Sequence, residues 1–105
     1  MSLTMSYKIL LKEEVEDDLK KLTKAQKILV FKQFKKLENS PQLGVKLGNK
    51  AGYDLSGLRK LYVDKKKIRI VYGIYEEKIV VEIVAVGKRD SMRVYADASK
   101  RFNNG

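Results

Sequence analysis

The stretch from Leu58 to Val86 constrains the fold more than any other part of the chain, because it reads as three strands in succession. Successive side chains of a strand point to opposite faces, so residues two apart share a side. In LRKLYV, Leu61 and Val63 fall on one side, and Lys60 and Tyr62 on the other. In IRIVYGIY, Ile68, Ile70, Tyr72 and Ile74 form one face, and Arg69, Val71 and Gly73 the other. The run from Ile79 to Val86 is apolar almost throughout, as a central strand covered on both faces requires. Arg89 stands where that strand runs out. Polar turns at Asp64-Lys65-Lys66-Lys67 and at Glu76-Glu77-Lys78 are of hairpin length, which makes the strands antiparallel neighbours. Lys60, Arg69 and Arg89 therefore come from three adjacent strands, each able to face one shared surface.

The flanking segments fill in a sheet-and-helix architecture. Tyr7, Ile9 and Leu11 alternate with Lys8, Leu10 and Lys12, a short first strand. Val15, Leu19 and Leu22 follow at i, i+4 and i+7, one face of a short helix. The acids Glu13, Glu14, Glu16, Asp17 and Asp18 crowd its first turns, where they favour the positive end of the helix dipole. Thr23 followed by Gln26 fits a capping box and starts a second helix, with Val30, Phe31, Phe34 and Leu37 as its apolar stripe. Asn39-Ser40-Pro41 ends it, since the residue before proline is driven out of helical geometry. Gln42 to Gly57 carries four glycines and little periodicity, and reads as a loop of about a dozen residues. Asp90-Ser91 is suited to cap a last helix, in which Tyr95, Ala98 and Phe102 share a face. The expected fold is α+β: a pair of N-terminal helices across a small antiparallel-core sheet, a first strand alongside, and a short C-terminal helix. At 105 residues the chain suffices for one domain over 1–105, with residues 1–6 and 103–105 disordered or foreign to it.

Composition narrows the chemistry. Histidine and cysteine are both absent, which removes the usual general base, thiol catalysis, a disulfide framework and the commonest metal ligands. The glycines fit neither GxxxxGK[ST] nor GxGxxG, so no phosphate-cradling loop is present. No apolar run approaches the ~20 residues of a membrane span and no signal peptide is visible, so a cytoplasmic protein that needs no membrane is expected. The net charge is +10, and with the acidic cluster set aside 23 basic residues face eight acids. A field of that sign attracts a phosphate backbone, an acidic protein or an anionic membrane surface.

Lys, Arg and Tyr are left to perform any reaction, and they suit one on an anionic substrate, the cleavage of RNA by its own 2′-hydroxyl. The transition state is a phosphorane with added charge on its non-bridging oxygens, which a guanidinium meets with two parallel hydrogen bonds. A lysine can take the 2′-hydroxyl proton only if partly neutral, and at an unperturbed pKa near 10.4 only ~0.04% is neutral at pH 7. Neighbouring cations lower that pKa, a condition Lys60 meets if it lies near Arg69 and Arg89. Each residue also has a plain alternative. Lys60 is equally a solvated strand charge, Arg69 and Arg89 fit ion pairs with Asp54, Glu82 or Asp90, and Tyr95 fits a core position.

Taken together, SGLRKLYVDKKKIRIVYGI and IVAVGKRDSMRVYADASKR resemble the RelE branch of the RelE/ParE bacterial toxins, over nearly the whole chain from Tyr7 to Phe102. The resemblance implies a compact toxin that enters the ribosomal A site, cuts mRNA without metal or cofactor, and is held inactive by a cognate antitoxin. It implies that Arg69 stabilises the phosphorane, Arg89 protonates the leaving oxygen, Tyr95 stacks on a base, and Lys60 supplies the base or neutralises charge. Arg59, Tyr62, Lys46, Lys50, Lys88 and Arg93 are the expected RNA contacts. The chain departs at the second strand lysine of the family, where Tyr62 stands. That leaves the general base open between Lys60 alone, Arg59 and a lysine of 65–67. The ParE branch, which poisons DNA gyrase, shares the fold but generally lacks the set Arg69, Arg89 and Tyr95. A basic module that only binds RNA or protein is the third reading.

Overall fold

The computed structural model describes residues 6–50, 52–89 and 92–103. In chain order the elements are β1 (Lys8–Leu11), α1 (Val15–Lys20), α2 (Lys24–Asn39), a 3-10 turn (Pro41–Leu43), β2 (Val45–Lys46), β3 (Asn49–Lys50), β4 (Tyr53–Asp54), β5 (Leu58–Val63), β6 (Ile68–Tyr75), β7 (Val80–Lys88) and α3 (Arg93–Asn103). Five strands form one sheet in the order β1-β7-β6-β5-β2, while β3 and β4 pair apart. β1 runs parallel to β7, and the other neighbours are antiparallel. This is the α+β arrangement the sequence predicts. No helix among the described residues is long and apolar enough to cross a membrane.

The alternation read from the strands sets the two faces. Ile68, Ile70 and Tyr72 join Val63, Val81, Ile83 and Val86 beneath the α1–α2 hairpin. On the other face Leu58, Val71, Val84 and Ala85 pack against Val94, Tyr95 and Ala98 of α3. The Thr23 capping box forms as expected, with Gln26 N donating to Thr23 Oγ1 and Thr23 N donating to Gln26 Oε1, each at 3.1 Å. Phe31 departs from the expected stripe and is 50% exposed. The line Val30–Phe34–Leu37 owns the buried face, and Phe31, one residue on, is rotated about 100° out of it. Gln42 to Gly57 is also more ordered than predicted, since the 3-10 turn and three two-residue strands lie within it. Strands that short show no alternation to read. Gly44 is required there, because a Cβ would stand 2.5 Å from Lys60 O and 2.7 Å from Tyr72 Oη. The Tyr72 hydroxyl instead accepts from Gly44 N at 2.7 Å and donates to Pro41 O at 2.8 Å, tying the loop to the sheet.

The ends are also tighter than expected at two positions. Ser6 Oγ donates to Asn39 Oδ1 at 3.2 Å, and Asn103 belongs to α3. Residues 1–5 and 104–105 lie outside the described residues, as do Asp90 and Ser91, the predicted cap of α3.

One irregularity in β7 was not legible. The register with β6 shifts between Val71 and Tyr72, which pair with Ala85 and Ile83, so Val84 is an extra residue. A bulge of this kind frees backbone groups from the ladder. β1 ends opposite Ile83 and offers nothing further along that edge. A buried ion pair takes its place. Asp18, 7% exposed on α1, accepts from Val86 N at 3.0 Å. Arg101 of α3 donates to Val84 O at 3.0 Å and grips Asp18 with both terminal nitrogens at 2.6 and 3.0 Å. The bidentate pair thereby fastens both helices to the bulge.

Candidate active site

Three cationic side chains, from β5, β6 and the end of β7, meet around the ring of Tyr62. Tyr62 on β5 lies opposite Arg69 on β6, and Arg69 lies opposite Gly87 on β7. Lys60 Nζ donates to Tyr62 Oη at 3.0 Å and sits 5.0 Å from the ring centroid. Arg69 Cζ and Arg89 Cζ each stand 5.6 Å from that centroid. Arg69 Cζ lies 4.2 Å from the ring centre of Tyr95, so its guanidinium is held between aromatic surfaces. Gly87 lets α3 come this close, since a Cβ there would meet Val94 Cγ2 at 2.8 Å.

The electrostatics are those of an anion site. Arg69 is 5% exposed, and its Nε and Nη1 have no hydrogen-bond partner. Among the described residues no carboxylate pairs with Lys60, Arg69 or Arg89. Of the partners considered from sequence, Asp54 accepts from Ser56, and Glu82 lies 3.9 Å from Lys12 and accepts from Tyr75. Asp90 lies outside the described residues. The Tyr62 phenol responds to this field: the hydrogen bond from Lys60, then the Arg69 guanidinium beside it, pull its pKa down to about 8. A buried donor without an acceptor costs about 1–3 kcal/mol, so the cluster is kept at the expense of stability.

Other predicted residues fall elsewhere. Tyr95 is 2% exposed and lies beneath Arg69, so as α3 is seated it has no free face for a nucleobase. Its alternative reading as a core residue describes its position, and its contact with the site is through Arg69. Arg59 points to the opposite side of β5 from Lys60 and donates to Gly44 O at 2.8 Å, which commits it to the loop rather than to proton transfer. Lys46 pairs with Arg59 in register and shares its face, and Lys50 is exposed on the β3–β4 ribbon. Lys65, Lys66, Lys67 and Lys88 line a groove of about 620 Å³ that reaches Arg89. Arg93 is exposed in the first turn of α3. The larger groove, about 770 Å³, lies at the other end of the β5–β6 pair, where Glu76 and Glu77 stand among Lys46, Arg59 and Lys78. Sequence reasoning missed the pair Asp18–Arg101, although Asp18 stands at i+3 from Val15, on the buried stripe.

An α+β fold with a helix pair on one sheet face and one helix on the other thus carries, beside that single helix, a cation cluster that no carboxylate among the described residues neutralises. The family model described as the ParE toxin of the type II toxin–antitoxin system parDE matches residues 9–93. A putative RelE-like toxin protein of Escherichia coli is 30% identical over 101 residues, covering 93% of this chain and 99% of that one. The mRNA interferase toxin RelE of Escherichia coli is 40% identical over 43 residues, 41% of this chain and 45% of the relative. Solved structures of a mutant of that bacterium's toxin RelE, free and in complex with a peptide of the antitoxin RelBc, superpose with TM-scores of 0.75 and 0.68. Both are 26% identical and cover 92% of this chain and 98% of theirs. The chain belongs to the RelE/ParE superfamily of toxins from type II toxin–antitoxin systems, and its relatives make it RelE-like.

Proposed function

We infer that this toxin is an endoribonuclease that cuts mRNA on the translating ribosome by attack of a 2′-hydroxyl on the adjacent phosphodiester, without metal or small-molecule cofactor. The observation that supports it is the convergence of Lys60, Arg69 and Arg89 on Tyr62 with no carboxylate among the described residues paired to them. Arg69, held between rings, places fixed positive charge beside the phosphorane oxygens, a form of stabilisation worth several kcal/mol when it is set in advance. Arg89, exposed at the end of β7, reaches the leaving 5′-oxygen and donates its proton. Lys60 neutralises the developing charge, and Tyr95 serves by holding Arg69. The products are a 2′,3′-cyclic or 3′-phosphate and a 5′-hydroxyl. Charges alone are a weak catalyst, so the ribosome contributes by aligning the strand for in-line attack. The site of action is then the cytoplasm, and the regulating partner is a cognate antitoxin whose acidic segment covers the cationic face.

Induction in a bacterial host, followed by mapping of mRNA 5′ ends with and without translation, tests this reading. Cuts in frame with codons, seen only during translation and lost with Arg89→Ala, are expected. The family model's ParE description favours one other reading, a gyrase poison. Intact mRNA with stalled or broken chromosomal DNA, indifferent to Arg89→Ala, would establish that instead. Binding to ribosomes is also expected to follow counterion release. With about four phosphates neutralised, affinity falls on the order of 50-fold between 50 and 200 mM salt, and a flat response would remove the electrostatic basis of the site.

A further inference from the structure

We propose that Tyr62 is the general base of the cleavage, its phenolate oxygen accepting the proton of the attacking 2′-hydroxyl. The proposal rests on the nuclease reading above and assigns the one role that reading left empty. Its ground is placement. Tyr62 is the side chain on which the cluster converges, with Lys60 Nζ donating to its Oη at 3.0 Å and both guanidinium carbons 5.6 Å from its ring centroid. The Lys60 amine, 3.0 Å from that oxygen, is placed to serve as the counter-charge of a phenolate base. Arg59 faces away, and Lys65, Lys66 and Lys67 sit at the hairpin tip, lining the outer groove.

Every charged group facing Tyr62 among the described residues favours its anion. Lys60 comes from its own strand, Arg69 from β6 and Arg89 from the end of β7, while α3 presents the neutral ring of Tyr95 behind Arg69. With the phenol drawn to about 8, about a tenth is ionised at pH 7, against about a thousandth of an unperturbed tyrosine. In the step itself the O2′–H bond breaks and its proton passes to the phenolate. O2′ bonds to phosphorus, the P–O5′ bond breaks, and O5′ leaves with a proton from Arg89. Exchange with solvent then returns a proton to Arg89 and removes one from Tyr62.

Two measurements on the intact protein test the assignment. The first is an ultraviolet titration of tyrosinate in the wild type and in Tyr62→Phe. Of the six tyrosines one is expected to ionise near pH 8 in the wild type and in no variant lacking Tyr62. The second is single-turnover cleavage of ribosome-bound mRNA between pH 6 and 9. The wild-type rate is expected to climb with pH and level off near 8, and Tyr62→Phe to lose the climb and at least about 100-fold in rate, the range of general base catalysis. A fluorotyrosine at position 62, whose phenol is more acidic, is expected to move the climb to lower pH. A Tyr62→Phe protein with the wild-type rate profile, or a wild type in which no tyrosine ionises near 8, overturns the proposal while the nuclease reading stands. Failure of the wild type to cut ribosome-bound mRNA at any pH overturns both.

Discussion

Arg69→Met is expected to lower single-turnover cleavage of ribosome-bound mRNA by about 100- to 1000-fold while making the folded protein more stable. The two effects share one cause. Arg69 is 5% exposed, and two of its nitrogens lie buried without an acceptor. Such donors cost about 1–3 kcal/mol, which an unbranched apolar side chain of similar length avoids, so a gain of about 1 kcal/mol in urea denaturation is expected. The same guanidinium supplies fixed positive charge beside the phosphorane, and removing one preorganised partner of an oxyanion typically costs that much rate. Arg69→Lys should recover little, since an ammonium lacks the planar fork. If Arg69→Met unfolds at lower urea than the wild type and still cleaves, the residue is structural and the anion site is misplaced.

Asp18→Ala is expected to be the most destabilising single substitution away from the apolar core, by about 3–5 kcal/mol in urea unfolding at neutral pH. It leaves the half-enclosed Arg101 guanidinium without its bidentate partner and Val86 N without an acceptor. Most of that loss comes from the abandoned charge. The double variant Asp18→Leu with Arg101→Met should therefore be closer to wild type than Asp18→Ala alone, a non-additivity that a double-mutant cycle measures. Equal or greater loss in the double variant would mean that the pair contributes attraction beyond what its burial costs.

The strand faces were legible because alternation is a property of consecutive residues, and it left Lys60, Arg69 and Arg89 each able to face one shared surface. The Thr23–Gln26 cap and the stop at Pro41 were legible for the same local reason. The orientation of Tyr95 was not, since both a stacking platform and a core residue fit the face it shares with Ala98 and Phe102; only its seat under Arg69 separates them. Tyr62 was visible as a departure from the family pattern, but its central position required knowing where the guanidinium groups of Arg69 and Arg89 end. Asp18 was lost in an acidic run whose other members are exposed, because a helix dipole accounts for all of them equally well.

The added residue at Val84 has a consequence for how β7 is used. Upstream of it, odd-numbered side chains such as Val81 and Ile83 point toward the α1–α2 hairpin; downstream, the even-numbered Val86 does. The strand thus changes phase once, and that single half-period decides whether Arg89 or Lys88 stands beside Arg69. With the count unbroken, a point charge would occupy the place of the guanidinium, and the planar group would be turned toward the helices. Asp18 and Arg101, more than 10 residues of sequence from any cation in the cluster, are the clasp that keeps that count.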